Sequence, residues 1–243
     1  MAFFKGSDLD DTLDGTIDND IIYGLQGNDR LFGDAGSDRL FGNHGRDTLL
    51  GGGGNDYLSG GGGNDKLKGG GGNDIVNGGS GNDRLEGNNG NDTLLGSTGN
   101  DKLFGGGGTD LLEGGSENDL LNGGGGNDIL NGGTGNDTLI GGPGQDTLHG
   151  GADADSFVFA SNDGTGNLVV DFDSASLDKL DFTGIGGLTF IGEDSVFGGA
   201  GEIRYEVDGN SVIVKVNLDA DLTPEISFRV SGTTSLVDAD FLL

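Results

Sequence analysis

Gly60-Gly61-Gly62-Gly63-Asn64-Asp65-Lys66-Leu67-Lys68 is one copy of a nine-residue unit that repeats seventeen times in frame, starting at Gly6. Position one is Gly in every copy, position six is Asp, and position eight is Leu, Ile, Val or Phe. A fixed period of this kind indicates a solenoid, in which each unit is one structural repeat stacked on its neighbours. The repeat therefore determines the expected fold.

The local chemistry of the unit predicts a turn followed by a strand. Positions one to six are rich in Gly and end in Asn-Asp, which favours a turn, and positions seven to nine form a very short strand. The middle residue of that strand points inward. One turn reverses the chain, so two units make one coil, and seventeen units give about eight coils, on the order of 40 Å long. We expect an all-β fold, a right-handed parallel β-roll.

The aspartates at position six are the candidate metal ligands. Units on one side of the roll are eighteen residues apart, so these carboxylates stack one strand spacing apart and repel each other without a counter-ion. Oxygen atoms of aspartates and turn carbonyls are the ligands that Ca²⁺ prefers. At most fifteen same-side pairs can form. The predicted ligands are Asp11, Asp20, Asp29, Asp38, Asp47, Asp56, Asp65, Asp74, Asp83, Asp92, Asp101, Asp110, Asp119, Asp128, Asp137, Asp146 and Asp155.

Composition supports a cation-dependent protein. The formal net charge of -29 disfavours nucleic acid and anionic membranes as partners and favours calcium ions. The chain has no cysteine, so it can form neither disulfides nor thiolate metal sites. Its core contains only one apolar side chain per half coil, which is too little to offset the entropy lost on folding. We therefore expect bound metal ions to stabilise the fold. No apolar segment is long enough to span a membrane, and residues 1–5 contain too few apolar residues for the core of a cleaved signal peptide.

The repeat degrades at two kinds of position. Position four is not Gly at Leu9, Asp18, Glu117 and Asp153, so the sites at Asp11, Asp20 and Asp155 are less secure, and Glu117 either weakens one site or adds a ligand. Position nine should face outward but is apolar at Tyr23, Phe32, Phe41, Leu50, Leu95, Phe104 and Ile140. This stripe is either covered by Phe3 and Phe4 or the C-terminal part, or it is a partner surface.

After Val158 the repeat stops and β-rich segments begin. The predicted strands are 157–160, 168–172, 179–182, 203–207, 212–216 and 226–230, with alternation typical of antiparallel strands and Asp208-Gly209-Asn210 as a hairpin turn. We therefore divide the chain into a lead-in at 1–5, a roll at 6–158 and a β-rich cap at 159–243, with a sandwich-like layer expected for the cap.

The residues now quoted resemble a known family. The unit is similar to the calcium-binding nonapeptide of repeats-in-toxin (RTX) proteins. Gly150-Gly151-Ala152-Asp153-Ala154-Asp155-Ser156-Phe157-Val158-Phe159, with 170–173 and 178–182, resembles the C-terminal domain of serralysin-type secreted metalloproteases. The resemblance implies a calcium β-roll, an extracellular location and an uncleaved C-terminal signal, here Asp240 to Leu243, read by the type I secretion apparatus.

Catalysis is not expected within this chain. The zinc motif of those proteases, His-Glu-x-x-His, is absent, and His44 and His149 lie too far apart along the roll to share a metal. Three function classes stay open: a calcium-binding secretion and folding module, an extracellular adhesin or polysaccharide-binding module, and the non-catalytic part of a secreted hydrolase. The string Asn217-Leu218-Asp219-Ala220-Asp221 reads either as a polar turn or as one extra calcium site, since the Gly and Glu of an EF-hand are missing.

Overall fold

The chain forms two stacked parallel β-sheets wound from one continuous coil. The computed structural model describes residues 1–193, 198, 200–219, 223–231, 233 and 235–243. Odd-numbered strands of the repeat build a fourteen-stranded sheet, called sheet I, and even-numbered strands build an eleven-stranded sheet, called sheet II. Each strand pairs with the strands eighteen residues before and after it, so the expected parallel β-roll with two units per coil is confirmed.

The strands follow the repeat closely in both sheets. In the order of the sheet, sheet I contains β1 (Phe3–Lys5), β3 (Ile21–Gln26), β5 (Arg39–His44), β7 (Tyr57–Gly62), β9 (Ile75–Ser80), β11 (Thr93–Thr98), β13 (Leu111–Ser116), β15 (Ile129–Thr134), β17 (Thr147–Ala152), β19 (Thr165–Val169), β24 (Ile226–Ser231), β23 (Ser211–Asn217), β22 (Glu202–Asp208) and β21 (Thr189–Glu193). Sheet II contains β2 (Thr12–Thr16), β4 (Arg30–Ala35), β6 (Thr48–Gly53), β8 (Lys66–Gly71), β10 (Arg84–Asn89), β12 (Lys102–Gly107), β14 (Leu120–Gly125), β16 (Thr138–Ile140), β18 (Ser156–Val158), β20 (Lys179–Asp181) and β25 (Phe241–Leu242). A short 3₁₀ segment spans Asp238–Asp240.

Most strands of the repeat are six residues long, twice the predicted length. β8, for example, runs from position seven of one unit through position three of the next and pairs with β6 and β10 along its length. The backbone N–H and C=O groups of glycine join the ladder as readily as those of any residue, so Gly-rich sequence does not end the strand. β16 and β18 stop at position nine, and β16 is followed three residues later by Pro143, which has no N–H to donate.

The core is a single file of side chains from position eight. Leu85, Leu94 and Leu103 are fully buried, as is their row from Ile22 to Phe157, so the predicted inward face is confirmed. The row continues into a wider aromatic cluster at the C-terminal end, where the ring of Phe159 stacks on Phe228 with centroids 3.9 Å apart. The apolar core is therefore one side chain wide along the roll and becomes wider only at the C-terminal end.

The C-terminal strands extend the two sheets of the roll. β19 and β24 continue sheet I and β20 and β25 continue sheet II, as expected for a tail that continues and caps the roll. All six predicted segments overlap strands, β22, β23 and β24 pair antiparallel, and Gly209-Asn210 connects β22 to β23 as predicted. β21 was not predicted, because Gly192 interrupts its short apolar run. Both sheets run across residue 158, so the division of the chain there stays a prediction.

We expect the core file to carry more stability than the outward apolar positions. Leu94 is fully buried, whereas its neighbour Leu95 faces outward and is half-buried. Leu94→Ala should lower the free energy of unfolding by about 2 to 4 kcal/mol, and the matched Leu95→Ala by less than about 1 kcal/mol. Denaturant unfolding in millimolar calcium measures both. Equal losses for the two variants would contradict the single-file core.

Candidate metal centre

The aspartates at position six form one ladder along each edge of the roll. The backbone N–H of Asp47 donates to Oδ1 of Asp65 at 2.7 Å, and that of Asp65 donates to Oδ1 of Asp83 at 2.8 Å. The same bond links Asp56 to Asp74 and Asp74 to Asp92 on the other edge. The predicted stacking of aspartates eighteen residues apart is therefore present on both edges.

The second oxygen of each carboxylate is left over. In the described part of the chain, Oδ2 is buried and accepts no hydrogen bond in fifteen aspartates, every ninth residue from Asp29 to Asp155. Each of these is the later member of a same-side pair, and fifteen is the largest number of such pairs that seventeen units allow. A buried acceptor without a partner is costly, and an ionised one far more so. The repeated structure thus leaves a row of negatively charged oxygens that require a cation or a proton.

Glycine at position one keeps a gap open beside each of these oxygens. A Cβ atom on Gly42 would lie 2.7 Å from the carbonyl oxygen of Gly60 in the next coil and would collide with Oδ2 of Asp47. The carboxylate oxygen and the carbonyl oxygen therefore face the same gap. At position four, Gly63 has φ of 135° and a Cβ there would collide with the carbonyl oxygen of Gly45. Glycine at position one leaves room for the two oxygens, and glycine at position four accepts the positive φ of the turn at low steric cost.

These residues fit a hard divalent cation. No cluster of three or more carboxylate, imidazole or thiol side chains converges anywhere in the described residues, so side chains alone do not complete a site. An aspartate oxygen combined with main-chain carbonyl oxygens of adjacent turns is an all-oxygen donor set, which suits Ca²⁺ better than transition metals. Each candidate site therefore depends on the carbonyl oxygens of the turns as much as on the aspartate side chain.

Burial raises the pKa of the ladder carboxyls well above the ordinary value. Desolvation, followed by repulsion from neighbouring carboxylates, raises the pKa of Asp74, Asp83, Asp119 and Asp155 to about 7. Desolvation also raises the pKa to about 6 at Asp38, Asp47, Asp65, Asp92, Asp101, Asp128, Asp137 and Asp146. The N–H bond to Oδ1 opposes the shift but does not cancel it. In a metal-free ladder these carboxyls therefore ionise at a higher pH than exposed aspartates do.

The first two aspartates differ from the rest. Oδ2 of Asp11 accepts bonds from both the N–H and the hydroxyl of Ser7, and Oδ2 of Asp20 from the N–H and hydroxyl of Thr16. The hydrogen bond from the Thr16 hydroxyl lowers the pKa of Asp20. These two carboxylates lack the unsatisfied buried oxygen of the interior sites. Asp155 has it and matches the interior aspartates, although its unit carries Asp153 at position four.

Both ladders extend beyond the repeat frame, which the sequence reasoning missed. The N–H of Asp146 donates to Oδ1 of Asn167 at 2.8 Å, and that of Asp155 donates to Oδ1 of Asp178 at 3.0 Å. A signal was present: Asp178-Lys179-Leu180 repeats the spacing of positions six to eight, out of frame. Asn167 ends one ladder with a neutral amide, whereas Asp178 ends the other with a carboxyl group.

The atypical residue Glu117 forms hydrogen bonds to its own turn and to the turn one coil back. It keeps the turn, with φ of 74°, and its Oε2 accepts bonds from the N–H of Gly99 and the hydroxyl of Ser116. Asp119 in the same unit retains its unpartnered Oδ2. The structure thus gives Glu117 a turn-stabilising contact one coil back. The weakening of this site by Glu117 stays a prediction.

The outward apolar stripe is divided between the two faces. Alternate units belong to opposite sheets, so Tyr23 and Phe41 lie on sheet I and Phe32 and Leu50 on sheet II. On sheet I the rings of Tyr23 and Phe41 stack at 4.7 Å, and Phe3 contacts Tyr23 at 5.7 Å. The N-terminal strand therefore covers one end of one face only.

The other singled-out residues do not form a site. His44 in β5 and His149 in β17 lie on sheet I six strands apart, ~29 Å at ~4.8 Å per strand. The string that resembles an EF-hand loop extends over residues 220–222, which lie outside the described residues. Within the described ranges, no helix is long and apolar enough to cross a bilayer.

Comparison with solved structures finds a match to one secreted enzyme. It is the extracellular lipase LipA from Serratia marcescens, at 18% sequence identity and a TM-score of 0.32, covering 96% of this chain and 40% of that one. These values are too low to transfer a fold or a function. The present chain spans well under half the length of that lipase. No curated protein matches the sequence significantly.

The family model for the RTX calcium-binding nonapeptide repeat matches most of the chain. Its matches cover residues 5–40, 26–58, 50–85, 86–121 and 122–157, which together span the whole repeat array. Calcium binding is thus a property of this family. The chain belongs to the RTX calcium-binding nonapeptide repeat family, with the repeats folded as a β-roll.

Proposed function

We propose that this chain is an extracellular calcium-binding module whose roll folds only when calcium becomes available after export. The observation that carries the proposal is the row of fifteen buried carboxylate oxygens without a hydrogen-bond partner. When bound, the ion supplies positive charge and empty coordination positions for oxygen ligands. The ligands that we propose are the position-six aspartates, Asp29 to Asp155 with most support and Asp11 and Asp20 with least.

The balance of free energies supports a metal-dependent fold. One leucine or equivalent per half coil must offset the ordering of nine residues, several of them glycine. Ionised ladder carboxylates oppose folding further because each loses water and lies near another carboxylate. The chain therefore stays unfolded where calcium is scarce. Extracellular modules of this kind typically bind at about 10⁻⁴ to 10⁻³ M, which is the range expected outside the cell.

The C-terminal residues support an uncleaved secretion signal at Asp240 to Leu243. In the folded chain Asp240 and Phe241 are buried, and the ring of Phe241 packs on Phe190 at 4.6 Å. The side chains of Leu242 and Leu243 stay partly exposed, at 39% and 44%. A tail that is buried only after folding can be read by a transporter while the chain is still unfolded. We propose recognition by the type I secretion apparatus at that stage.

Removing one ladder carboxylate should weaken calcium-driven folding. Asp110→Asn keeps the Oδ1 that accepts the N–H of Asp92 but removes the charge at one site, whereas Glu113→Gln in the same unit removes an exposed charge. We expect Asp110→Asn to raise the calcium midpoint of folding and to cost about 1 to 3 kcal/mol at saturating calcium. Glu113→Gln should change little.

Far-UV circular dichroism during calcium titration of the wild type and both variants measures this. Wild-type protein with equal β content in EGTA and in millimolar calcium would overturn the proposed function.

The metal-free chain should gain β structure on acidification. Burial raises the pKa of ladder carboxyls such as Asp65 and Asp74 to about 6 and about 7 in the folded chain, against 3.8 as the ordinary value. A raised folded pKa means that metal-free stability is full below pH about 4 and is lost as pH rises through 6 to 7. Calcium should reverse the trend, because protons compete with it for the same oxygens.

Circular dichroism between pH 4 and pH 8, in buffer stripped of calcium and in millimolar calcium, measures the two trends. A calcium-free roll that becomes more stable as pH rises from 5 to 8 would contradict the assignment.

Export should depend on the exposed terminal pair. Leu242→Ser with Leu243→Ser changes the tail but leaves Phe241 in the core, so folding should be preserved. We expect secretion by cells that carry a type I system to fall at least about tenfold, since such signals are read from the terminal residues. Leu177→Ser with Val237→Ser, two exposed apolar residues elsewhere in the C-terminal part, is the matched control. Undiminished export of the terminal variant would remove the secretion claim.

A further inference from the structure

One face of this acidic protein carries a row of cations that the fold does not require. Position seven on sheet II carries four exposed cations that point outward: Arg30, Lys66, Arg84 and Lys102. Lys66, Arg84 and Lys102 lie on consecutive strands and are paired in register, so adjacent members are ~4.8 Å apart along the roll. Five of the twelve basic residues of the chain, with Lys68, lie on this face between β4 and β12.

Sheet I shows that this arrangement is not a consequence of the repeat. Both sheets are built from the same unit, yet the same stretch of sheet I has a single cation at position seven, Arg39, followed by the uncharged residues Tyr57, Ile75 and Thr93. Position seven faces solvent and does not enter the core. The difference between the faces therefore reflects something other than folding.

The cations border a groove in which hydrogen-bond donors predominate. The groove has a volume of about 470 Å³ and runs along the edge of sheet II beside Lys66, Arg84 and Lys102, with Arg46 at one end. Its other rim consists of Asn64, Asn82 and Asn100 at position five. We call this the basic groove.

The asparagine rim presents donors because its acceptors are already used. Oδ1 of Asn64 accepts the N–H of Asn82, and Oδ1 of Asn82 accepts the N–H of Asn100, both at 3.0 Å. The amide nitrogens of Asn64 and Asn82 then stay available, since neither donates to an acceptor within the described part of the chain. Among those residues, Lys66, Lys102 and Arg46 also form no ion pair, whereas Arg84 pairs with Glu86 at 2.7 Å. The buried Asp65 and Asp83 at the floor are engaged in the ladder.

We propose that the basic groove binds a linear acidic polysaccharide, with a carboxylate on each sugar. Its charge complements the cation row, and one sugar of an extended uronate chain is about as long as one strand spacing, ~5 Å, so successive carboxylates meet successive cations. Hydroxyl groups of the sugars accept hydrogen bonds from the asparagine amides. This assignment rests on the calcium-folded roll, because only the folded roll brings Lys66, Arg84 and Lys102 together.

A nucleic acid fits the groove less well. Single-stranded nucleic acid binds through aromatic platforms on which bases stack. Two rings lie beside the cation row, and an arginine guanidinium lies over each: Arg84 is 4.2 Å from the Phe104 ring and Arg30 is 6.0 Å from the Phe32 ring.

The test measures binding of oligogalacturonate, in chains too short to gel, by isothermal titration calorimetry at fixed millimolar calcium. Lys66→Gln with Lys102→Gln removes two groove cations. Lys5→Gln with Arg39→Gln removes two cations from the outward face of sheet I and is the matched control. We expect the wild type to bind, the groove variant to bind about tenfold more weakly, and the control to match the wild type.

Three results would overturn the groove while leaving calcium-driven folding intact, as judged by circular dichroism of the same samples. These are no binding by a folded wild type, equal losses in the two variant pairs, and tighter binding of single-stranded DNA or neutral dextran than of oligogalacturonate. A wild-type chain that stays unfolded in calcium would overturn both proposals.

Discussion

The structure depends on the burial of one carboxylate per nonapeptide with only half of its hydrogen-bonding capacity satisfied. Oδ1 of each interior aspartate accepts the N–H of the aspartate one coil back, which fixes the register of neighbouring coils. Oδ2 has no such partner and lies against the position-one glycine. The same side chain that aligns the coils thus makes the metal-free roll electrostatically unfavourable, which couples folding to a cation.

Glycine makes this coupling possible. Position-one glycine leaves the gap that an aspartate oxygen and a carbonyl oxygen share, and position-four glycine allows the left-handed turn. Glycine at either position increases the conformational entropy lost on folding, and a core of one side chain per half coil contributes little hydrophobic stabilisation to offset it. A sequence with this composition gains stability mainly through what binds at its turns. The wider aromatic cluster around Phe159 and Phe228 is the exception, and it lies where the roll ends.

The outward positions are free of these constraints. Position seven accepts Lys66 on sheet II and Ile75 on sheet I without any change in strand pairing. Surface chemistry can therefore differ between the two faces while the ladder stays constant. In a chain with this negative net charge, the row of cations makes one face locally basic. The row lies beside asparagine amide donors that the hydrogen bonds between coils hold in place.

The sequence by itself determined the parallel roll, the inward row at position eight and the two ladders, because a nine-residue period with Asp and Leu at fixed places has one consistent way to bury Leu. It did not determine strand length, since propensity reads Gly52 or Gly70 as a turn residue whereas the sheet pairs it. The end of each ladder at Asn167 and Asp178 was also hidden, because both lie out of frame and meet their partners only through sheet pairing. The division of the apolar stripe between two faces, and the unsatisfied state of Oδ2, were decided by the tertiary structure, because both depend on which coil lies beside which.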